Sequence, residues 1–207
     1  MESKLVHVAV YDTLADWEIG HVTAHINNGA WQRRPGSHRI VTVGESRAPV
    51  TTMGGLKVIP DVELGDLRPA DSAMLVLPGA DTWVTGGNAA FVKKAREFLE
   101  AGVPVAAVCG ATFALAAEGL LDERRHTSNA RQFLAATGYK GGARYCDVPA
   151  VTDGDLITAS GTAPVEFARE IMARLGLYDA DVLASWYKLY GLNDPAGYYE
   201  LDGARAS

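Results

Sequence analysis

Cys109 is the residue of this sequence whose surroundings best suit covalent chemistry. The apolar run over residues 103–108 shows no alternation, which predicts a central parallel strand covered on both faces. Residues 111–117 are good helix formers, so the chain must pass from strand to helix at Cys109 and Gly110. A cysteine at such a corner predicts a nucleophile elbow that carries sulfur in place of the more familiar serine oxygen.

The predicted elbow would prepare the sulfur in three ways. A tight strand-to-helix turn strains its residue and projects the side chain from the sheet. The free amides and positive dipole at the helix start favour a thiolate and are expected to lower the pKa of Cys109. The amide of Gly110 is placed to bind a developing oxyanion. The alternative is that Cys109 is a buried small hydrophobe, as free cysteines often are.

Two acidic residues are predicted at the same edge of the sheet. Asp16 and Glu18 begin a helix over 16–28, directly after a first strand over 5–10. Ligands of open α/β sheets bind at the carboxyl ends of the strands, so both residues are candidates for the site. For Asp16 the simpler alternative is that an acid in the first helical turn complements the helix dipole.

The loop that follows the predicted strand over 72–77 reaches this edge as well. Within its sequence Pro-Gly-Ala-Asp-Thr-Trp, the amide of Ala80 is a candidate second oxyanion donor. Trp83 either lines a pocket there or packs against its own loop.

Composition limits the classes of function. The 207 residues are 48% hydrophobic and 21% charged, with a net charge of −6 and a pI near 5.3. These values are typical of a soluble globular protein and argue against a nucleic-acid surface. No apolar run is long enough to span a bilayer, and no signal peptide is visible, so we expect a cytoplasmic protein.

The cysteines and histidines predict neither a disulfide scaffold nor a metal site. Only Cys109 and Cys146 are present, and the five histidines are scattered. His21 and His25 are four apart on a predicted helix without a third ligand nearby, which favours a solvated helix face. We therefore expect no metal and no cofactor.

Strands and helices alternate along the whole chain. Strands are predicted over 5–10, 38–44, 72–77, 103–108, 126–128, 145–152 (as part of a hairpin) and 156–159, helices over 16–28, 88–101, 111–117, 129–137, 164–175 and 179–190, and a β-ribbon outside the main sheet over 49–60. This order predicts one α/β domain over 1–207, a doubly wound, flavodoxin-like and mostly parallel sheet between layers of helices. The tail from about Asn193 is expected to be poorly ordered.

The motifs together resemble the ThiJ/PfpI family, the cysteine members of the class I glutamine amidotransferase-like superfamily. The resemblance covers nearly the whole chain. Its segments are Val8-Ala9-Val10, Asp16-Trp17-Glu18, Gly54-Gly55 with Pro60-Asp61, Leu75-Val76-Leu77-Pro78-Gly79, Ala107-Val108-Cys109-Gly110-Ala111, Ala117-Glu118-Gly119-Leu120-Leu121 and the run from Ile157 to Ala168.

The resemblance implies roles for particular residues. It makes Cys109 the reactive cysteine and Glu18 the acid from the first helix, which, if protonated, donates a hydrogen bond to the sulfur. It places the amides of Ala80 and Gly110 in an oxyanion hole. It also implies a small-molecule substrate and a homodimer, and composition predicts no nucleic-acid or membrane partner.

This sequence departs from the family at the histidine. Some members carry one directly after the cysteine, where this chain has Gly110. Others carry it at the position that maps onto Asn129, which makes Asn129 a residue expected to line the site. His126 becomes a candidate base only if the register shifts, because strand alternation puts it on the other face from Asn129.

Two functions of different classes remain. The first is a cysteine-dependent enzyme of the glyoxalase or deglycase, hydratase or amidase type, with Cys109 as nucleophile. The second is a non-catalytic redox or stress-response protein, in which Cys109 is oxidised to a sulfinate. A glutaminase is disfavoured, because Thr162-Ala163-Pro164 stands where the histidine-x-glutamate pair would be.

Overall fold

The structure, a computed structural model, describes residues 3–204. Its main sheet has the strand order β5-β2-β1-β6-β7-β9-β8, in which only the β8–β9 pair is antiparallel. The strands are β1 (Lys4–Ala9), β2 (His38–Gly44), β5 (Val62–Glu63), β6 (Met74–Leu77), β7 (Val105–Val108), β8 (Ala150–Asp153) and β9 (Leu156–Ala159). A separate antiparallel ribbon joins β3 (Val50–Thr51) to β4 (Lys57–Val58).

Helices cover both faces of the sheet. They are α1 (Asp16–Asn27), α2 (Ala89–Glu100), α3 (Gly110–Ala117), α4 (Arg131–Ala135), α5 (Pro164–Leu175), α6 (Ala180–Tyr190) and α7 (Ala196–Ala204). Phe91, Phe98, Leu115 and Leu134 of α2, α3 and α4 belong to one core, and Ile26, Phe167, Trp186 and Leu201 of α1, α5, α6 and α7 to the other. The predicted doubly wound α/β sandwich with a small ribbon is therefore confirmed.

The continuous apolar strands are buried as their sequences predict. All four residues of β6 and all four of β7 are buried, because helices cover the sheet on both sides. The strand order reverses between β1 and β6, whose carboxyl ends therefore form the crevice of a topological switch point. The chain leaves β1 towards α1 and leaves β6 towards Pro78, which brings both loops to this crevice.

Three predicted elements differ in the structure. The strand over 126–128 does not form; His126 makes only an isolated bridge with Tyr145, and the chain over 145–149 is not a hairpin strand. The edge strand β5 was missed, because two residues are too few to show a periodic pattern. The helix over 129–137 shortens to α4.

The tail expected to be poorly ordered from Asn193 forms α7 instead. Leu201 on this helix is fully buried in the core that α1, α5 and α6 share. Glu200 is hydrogen bonded to Ser185 and Lys188 of α6. The helix α7 is too short to be stable by itself, and the burial of Leu201 stabilises it. The last three residues of the predicted tail lie outside the described part of the chain.

The predicted solvated face of α1 is also wrong. His25 is buried, and its Nε2 accepts a hydrogen bond from the Trp186 indole at 3.1 Å. Its Nδ1 lies 3.3 Å from the hydroxyl of Tyr178, so the ring carries its proton on Nδ1 and donates there. The ring of His21 stacks on that of His25. These histidines help pack α1 against α6.

Of the helices that the structure describes, none combines the length and apolar character that a bilayer crossing requires.

Candidate active site

Cys109 occupies the predicted elbow between β7 and α3. Its backbone has φ 57° and ψ −124°, a region that residues with a side chain rarely adopt. Such a conformation costs on the order of 1–3 kcal/mol and is kept only where the surrounding structure imposes it. Here the amide of Cys109 donates to Ala159 O at 3.1 Å, which ties the corner to β9. The side chain is half-buried at the carboxyl edge of the sheet.

Two glycines make room for the sulfur and for Glu18. A Cβ atom on Gly79 would lie 2.7 Å from Cys109 Cβ and 2.8 Å from Glu18 Oε2. A Cβ atom on Gly161 would lie 2.8 Å from both Cys109 Sγ and Glu18 Oε1. Real Cβ atoms do not approach other atoms so closely, so both positions need glycine. The sequence analysis gave no role to Gly161, although the Ser-Gly-Thr segment that contains it was part of the family resemblance.

Glu18 is fully buried beside the cysteine. Its Oε2 accepts a hydrogen bond from Gly79 N at 2.5 Å, whereas Oε1 is buried without a hydrogen-bond partner among residues 3–204. Burial raises the pKa of Glu18 to about 7, against the opposing effects of the Gly79 amide and the Cys109 thiol. Near neutral pH this carboxyl group is therefore present both with and without its proton.

The pKa of Cys109 is raised, contrary to the expectation from the helix start. Burial raises it most and the Glu18 carboxylate adds to the rise, while the Asn129 amide and the Gly110 amide lower it. Desolvation and the neighbouring negative charge therefore outweigh the two amides that favour the thiolate.

Asn129 contacts the sulfur, as the resemblance implied for a residue lining the site. Its Nδ2 donates to Cys109 Sγ at 3.2 Å, and its Oδ1 accepts from Gly161 N at 2.9 Å. The side chain is therefore held from both ends. An amide does not take up a proton at physiological pH, so Asn129 can stabilise a thiolate but cannot act as a base.

The two predicted oxyanion donors lie on either side of this corner. The amide of Gly110 begins α3 and lowers the pKa of Cys109. The amide of Ala80 follows Gly79, and no acceptor among residues 3–204 is hydrogen bonded to it. Their role as oxyanion donors stays a prediction.

Trp83 packs against its own loop, the alternative left open above. It is 2% exposed, and its indole Nε1 donates to Pro78 O at 2.8 Å. A Cβ atom on Gly110 would lie 3.2 Å from Trp83 Cβ and 3.1 Å from Ala80 O. The buried tryptophan therefore leaves little room for a side chain directly after the cysteine, where this chain has glycine.

Asp16 holds the ribbon rather than the site. Its Oδ2 accepts from Gly54 N at 2.6 Å. Burial raises the pKa of Asp16, but hydrogen bonds from Thr52 and the Gly54 amide outweigh this effect and lower it. The carboxylate thus fastens the β3–β4 loop to the start of α1.

His126 is not in contact with the sulfur. Its Nδ1 lies 2.7 Å from Arg124 O and its Nε2 lies 3.0 Å from the hydroxyl of Tyr139, so both ring nitrogens are occupied. The ring is fully buried between Tyr139 and Tyr145. The structure therefore gives His126 a packing role, and a base at Cys109 would have to be Glu18.

Trp17 was missed by the sequence analysis as a residue of the site. Its indole Nε1 donates to Gly161 O at 2.9 Å, yet the side chain is 52% exposed. The exposed ring therefore lies at the rim of the site, fixed to the glycine that frames the sulfur. Two signals could have found it: its position between two acids at the start of a helix, and its place in the Asp16-Trp17-Glu18 segment of the family resemblance.

Within residues 3–204, no group of three or more His, Cys, Asp or Glu side chains is placed to hold a metal ion. The described site thus consists of a thiol, a buried carboxyl group, one side-chain amide and two backbone amides. These groups can form a bond to an electrophile, move a proton and stabilise negative charge.

Known proteins share this architecture. A relative from Bacillus subtilis (strain 168), named uncharacterized protease YoaZ, is 39% identical over 204 residues that cover 97% of each chain. Protein/nucleic acid deglycase 2 from Escherichia coli (strain K12) is 28% identical over 181 residues, covering 84% of this chain and 99% of that protein. A crystal structure of a ThiJ/PfpI family protein from Bacillus anthracis superposes with a TM-score of 0.91 at 37% identity, covering 99% of this chain and 98% of the other.

The sequence model of the DJ-1/PfpI family matches residues 4–174. This range contains Cys109, Glu18 and Asn129, and also Gly79 and Gly161, the two glycines beside the sulfur. The chain therefore belongs to the DJ-1/PfpI family.

Proposed function

We propose that this protein is an enzyme in which Cys109 adds to the carbonyl carbon of a small molecule and Glu18 moves the proton. The observation that carries the proposal is the contact between the half-buried thiol and a fully buried carboxyl group whose pKa is about 7. A group that titrates near the working pH is suited both to accept and to return a proton.

The addition step balances without any further reactant. As the S–C bond forms, ionised Glu18 accepts the thiol proton, and the electron pair of the carbonyl π bond moves onto oxygen. We expect the amides of Ala80 and Gly110 to hold that oxyanion. Glu18 then returns the proton to oxygen, which leaves a neutral hemithioacetal and an ionised carboxylate.

The same geometry favours a carbonyl over an amide as substrate. In amide hydrolysis the proton taken from the nucleophile must be carried to the leaving amine, usually by a histidine, and a water must then hydrolyse the acyl-enzyme. Asn129 occupies the place beside the sulfur, and both nitrogens of His126 are engaged elsewhere. Addition to an aldehyde or dicarbonyl expels no group. The relatives' names, protease and deglycase, cover both possibilities, and the contacts at Cys109 support the second.

The test is consumption of methylglyoxal, followed with the wild-type protein and with matched variants. We expect Cys109→Ala to abolish turnover and Glu18→Gln to lower it on the order of 10²–10⁴-fold, because proton transfer by a positioned side chain contributes that much. Cys146→Ala controls for removal of a thiol elsewhere and should retain activity. Equal rates in the wild-type and Cys109→Ala proteins would refute the proposal, and cleavage of a model amide without any dicarbonyl turnover would assign the site to the amidase class.

A redox function is the second candidate, supported by the donors around the sulfur. A sulfinate at Cys109 would be met by the Gly110 amide, Asn129 Nδ2 and the protonated form of Glu18. Each can donate a hydrogen bond to an anionic oxygen. Mass spectrometry after mild peroxide treatment separates the two cysteines. Oxidation confined to Cys146, or spread equally over both thiols, would exclude this function.

We also propose that the protein is a homodimer, as its family resemblance implied, and that it acts in the cytoplasm. Support for the dimer comes from exposed apolar side chains: Trp17 at the start of α1, and Met53, Leu56 and Ile59 of the ribbon segment. Light scattering at micromolar concentration measures the oligomeric state, and the mass of a monomer would refute the proposed homodimer.

A further inference from the structure

A second cleft lies at the end of the sheet opposite Cys109, where the parallel strands begin. It consists of two adjoining cavities of about 810 and 550 Å³, which share Lys4, His38 and Leu175. We call it the amino-end cleft; its basic lining residues are Lys4, Arg33, Arg34, His38, Arg39 and Arg174. Cavities of this size are typical of small-molecule sites.

Positive charge in the amino-end cleft is only partly neutralised. Arg33 pairs with Asp179 and Arg174 with Asp155. Lys4, Arg34 and Arg39, by contrast, form no ion pair with any carboxylate of residues 3–204.

The acidic side chain that lines the amino-end cleft is itself neutralised. It belongs to Asp71, which is paired with Arg68 at 3.0 Å. The whole chain carries a net charge of −6, so a concentration of unpaired cations here is a local feature rather than a consequence of composition.

The loop that carries Arg34 is held in place before any ligand binds. Ser37 N donates to Arg34 O at 3.0 Å, and Gly36 has φ 75°, so residues 34–37 form a type II turn with Pro35 at its second position. Lys4 N donates to Ser37 O at 2.8 Å, which ties this turn to β1. A site fixed in this way loses little conformational entropy on binding.

The cations of the amino-end cleft affect the pKa values of two buried histidines nearby. Burial lowers the pKa of His38, and Lys4 lowers it further. Burial also lowers the pKa of His7, where Arg39 acts in the same direction and Asp71 opposes it. Both histidines are therefore expected to be neutral near pH 7, so the charge of the amino-end cleft comes from its lysine and arginines.

We propose that the amino-end cleft binds a small anion that carries phosphate groups. Guanidinium groups match the oxygens of phosphate in two-point contacts, and a multiply charged anion suits cations that line two adjoining cavities and share Lys4 between them. Cys109 does not line either cavity, so this site is separate from the candidate active site and does not depend on the function proposed for it.

Isothermal titration with inorganic pyrophosphate tests the proposal. We expect the wild-type protein to bind it with a Kd of about 1 mM or tighter at low salt, and to bind more weakly as salt is added. The double variant Arg34→Gln/Arg39→Gln should weaken binding on the order of tenfold or more, because it removes one unpaired cation from each of the two adjoining cavities. Both side chains are exposed, and a thermal melt of the variant confirms that it is folded.

The matched control is Arg47→Gln, which removes an exposed arginine outside both cavities. It should bind pyrophosphate as the wild type does. Absence of binding by the wild type at about 10 mM would overturn the proposal, as would equal weakening in the control and the double variant. A parallel titration with ADP identifies the source of the phosphate: tighter binding than pyrophosphate indicates a phosphorylated organic molecule, and equal binding indicates inorganic phosphates.

Discussion

Replacing Glu18 by glutamine is expected to stabilise the protein at alkaline pH. The carboxyl group is fully buried, and burial raises its pKa from the ordinary value of 4.5 to about 7. The folded protein therefore holds this proton more tightly than the unfolded chain does. Stability falls as the pH rises from 4.5 to 7, and above pH 7 the full cost of a buried carboxylate is present.

The size of the effect follows from these two pKa values. A difference between 4.5 and about 7 corresponds to about 3 kcal/mol, and roughly 2.5 kcal/mol of it develops between pH 5 and pH 8. Glutamine keeps the shape and an acceptor for Gly79 N but carries no charge. For a domain of this length, we expect the difference in Tm between Glu18→Gln and the wild type to grow by roughly 5–10 °C from pH 5 to pH 8.

Thermal unfolding of both proteins, followed by circular dichroism at pH 5 and pH 8, measures this difference. The contributions of other titrating groups to stability cancel, because the variant and the wild type are compared at the same pH. Glu45→Gln, which replaces an exposed glutamate without an ion pair among the described residues, should show no such change with pH. If the Tm difference for Glu18→Gln is the same at both pH values, the buried carboxyl group does not titrate near neutrality and the proton-transfer role proposed for it is wrong.

Three further outcomes are expected. Gly161→Ala should lower carbonyl turnover at least tenfold, because the new Cβ would lie 2.8 Å from Cys109 Sγ. The control Gly20→Ala, which has open space around its new Cβ, should keep the wild-type turnover. Equal turnover in the two variants would show that Gly161 does not make room for the sulfur. Leu201→Ala should destabilise the protein by about 2–5 kcal/mol in chemical denaturation, and a loss below about 0.5 kcal/mol would show that α7 contributes little. Burial lowers the pKa of His25 to about 4, so the neutral histidine contributes at most about 3 kcal/mol to the stability of the fold. This contribution is present above pH 6.5 and is lost as the pH falls to 4. His25→Gln, which can still accept from Trp186, should remove this part of the acid dependence of stability, and an unchanged pH profile of stability would contradict the prediction.

The corner that carries Cys109 was predictable from local sequence. An unbroken apolar run, a cysteine and a good helix former occur within a few residues, and a parallel strand followed by a helix forces a sharp corner there. Glu18 and Asn129 came from the family resemblance, since nothing local distinguishes Glu18 from Asp16. The two acids differ in fate because Glu18 points into the core, whereas Asp16 meets the amide of Gly54.

The sequence by itself determined the alternation of strands and helices, the doubly wound sheet and the corner at Cys109, because these depend on patterns within a few neighbouring residues. Only the tertiary structure decided that Asn129 and Gly161 meet the sulfur, and that burial raises the pKa values of both Cys109 and Glu18. The physical reason is distance along the chain. Desolvation depends on every segment that packs around a group, and those segments come together only when the strands are paired.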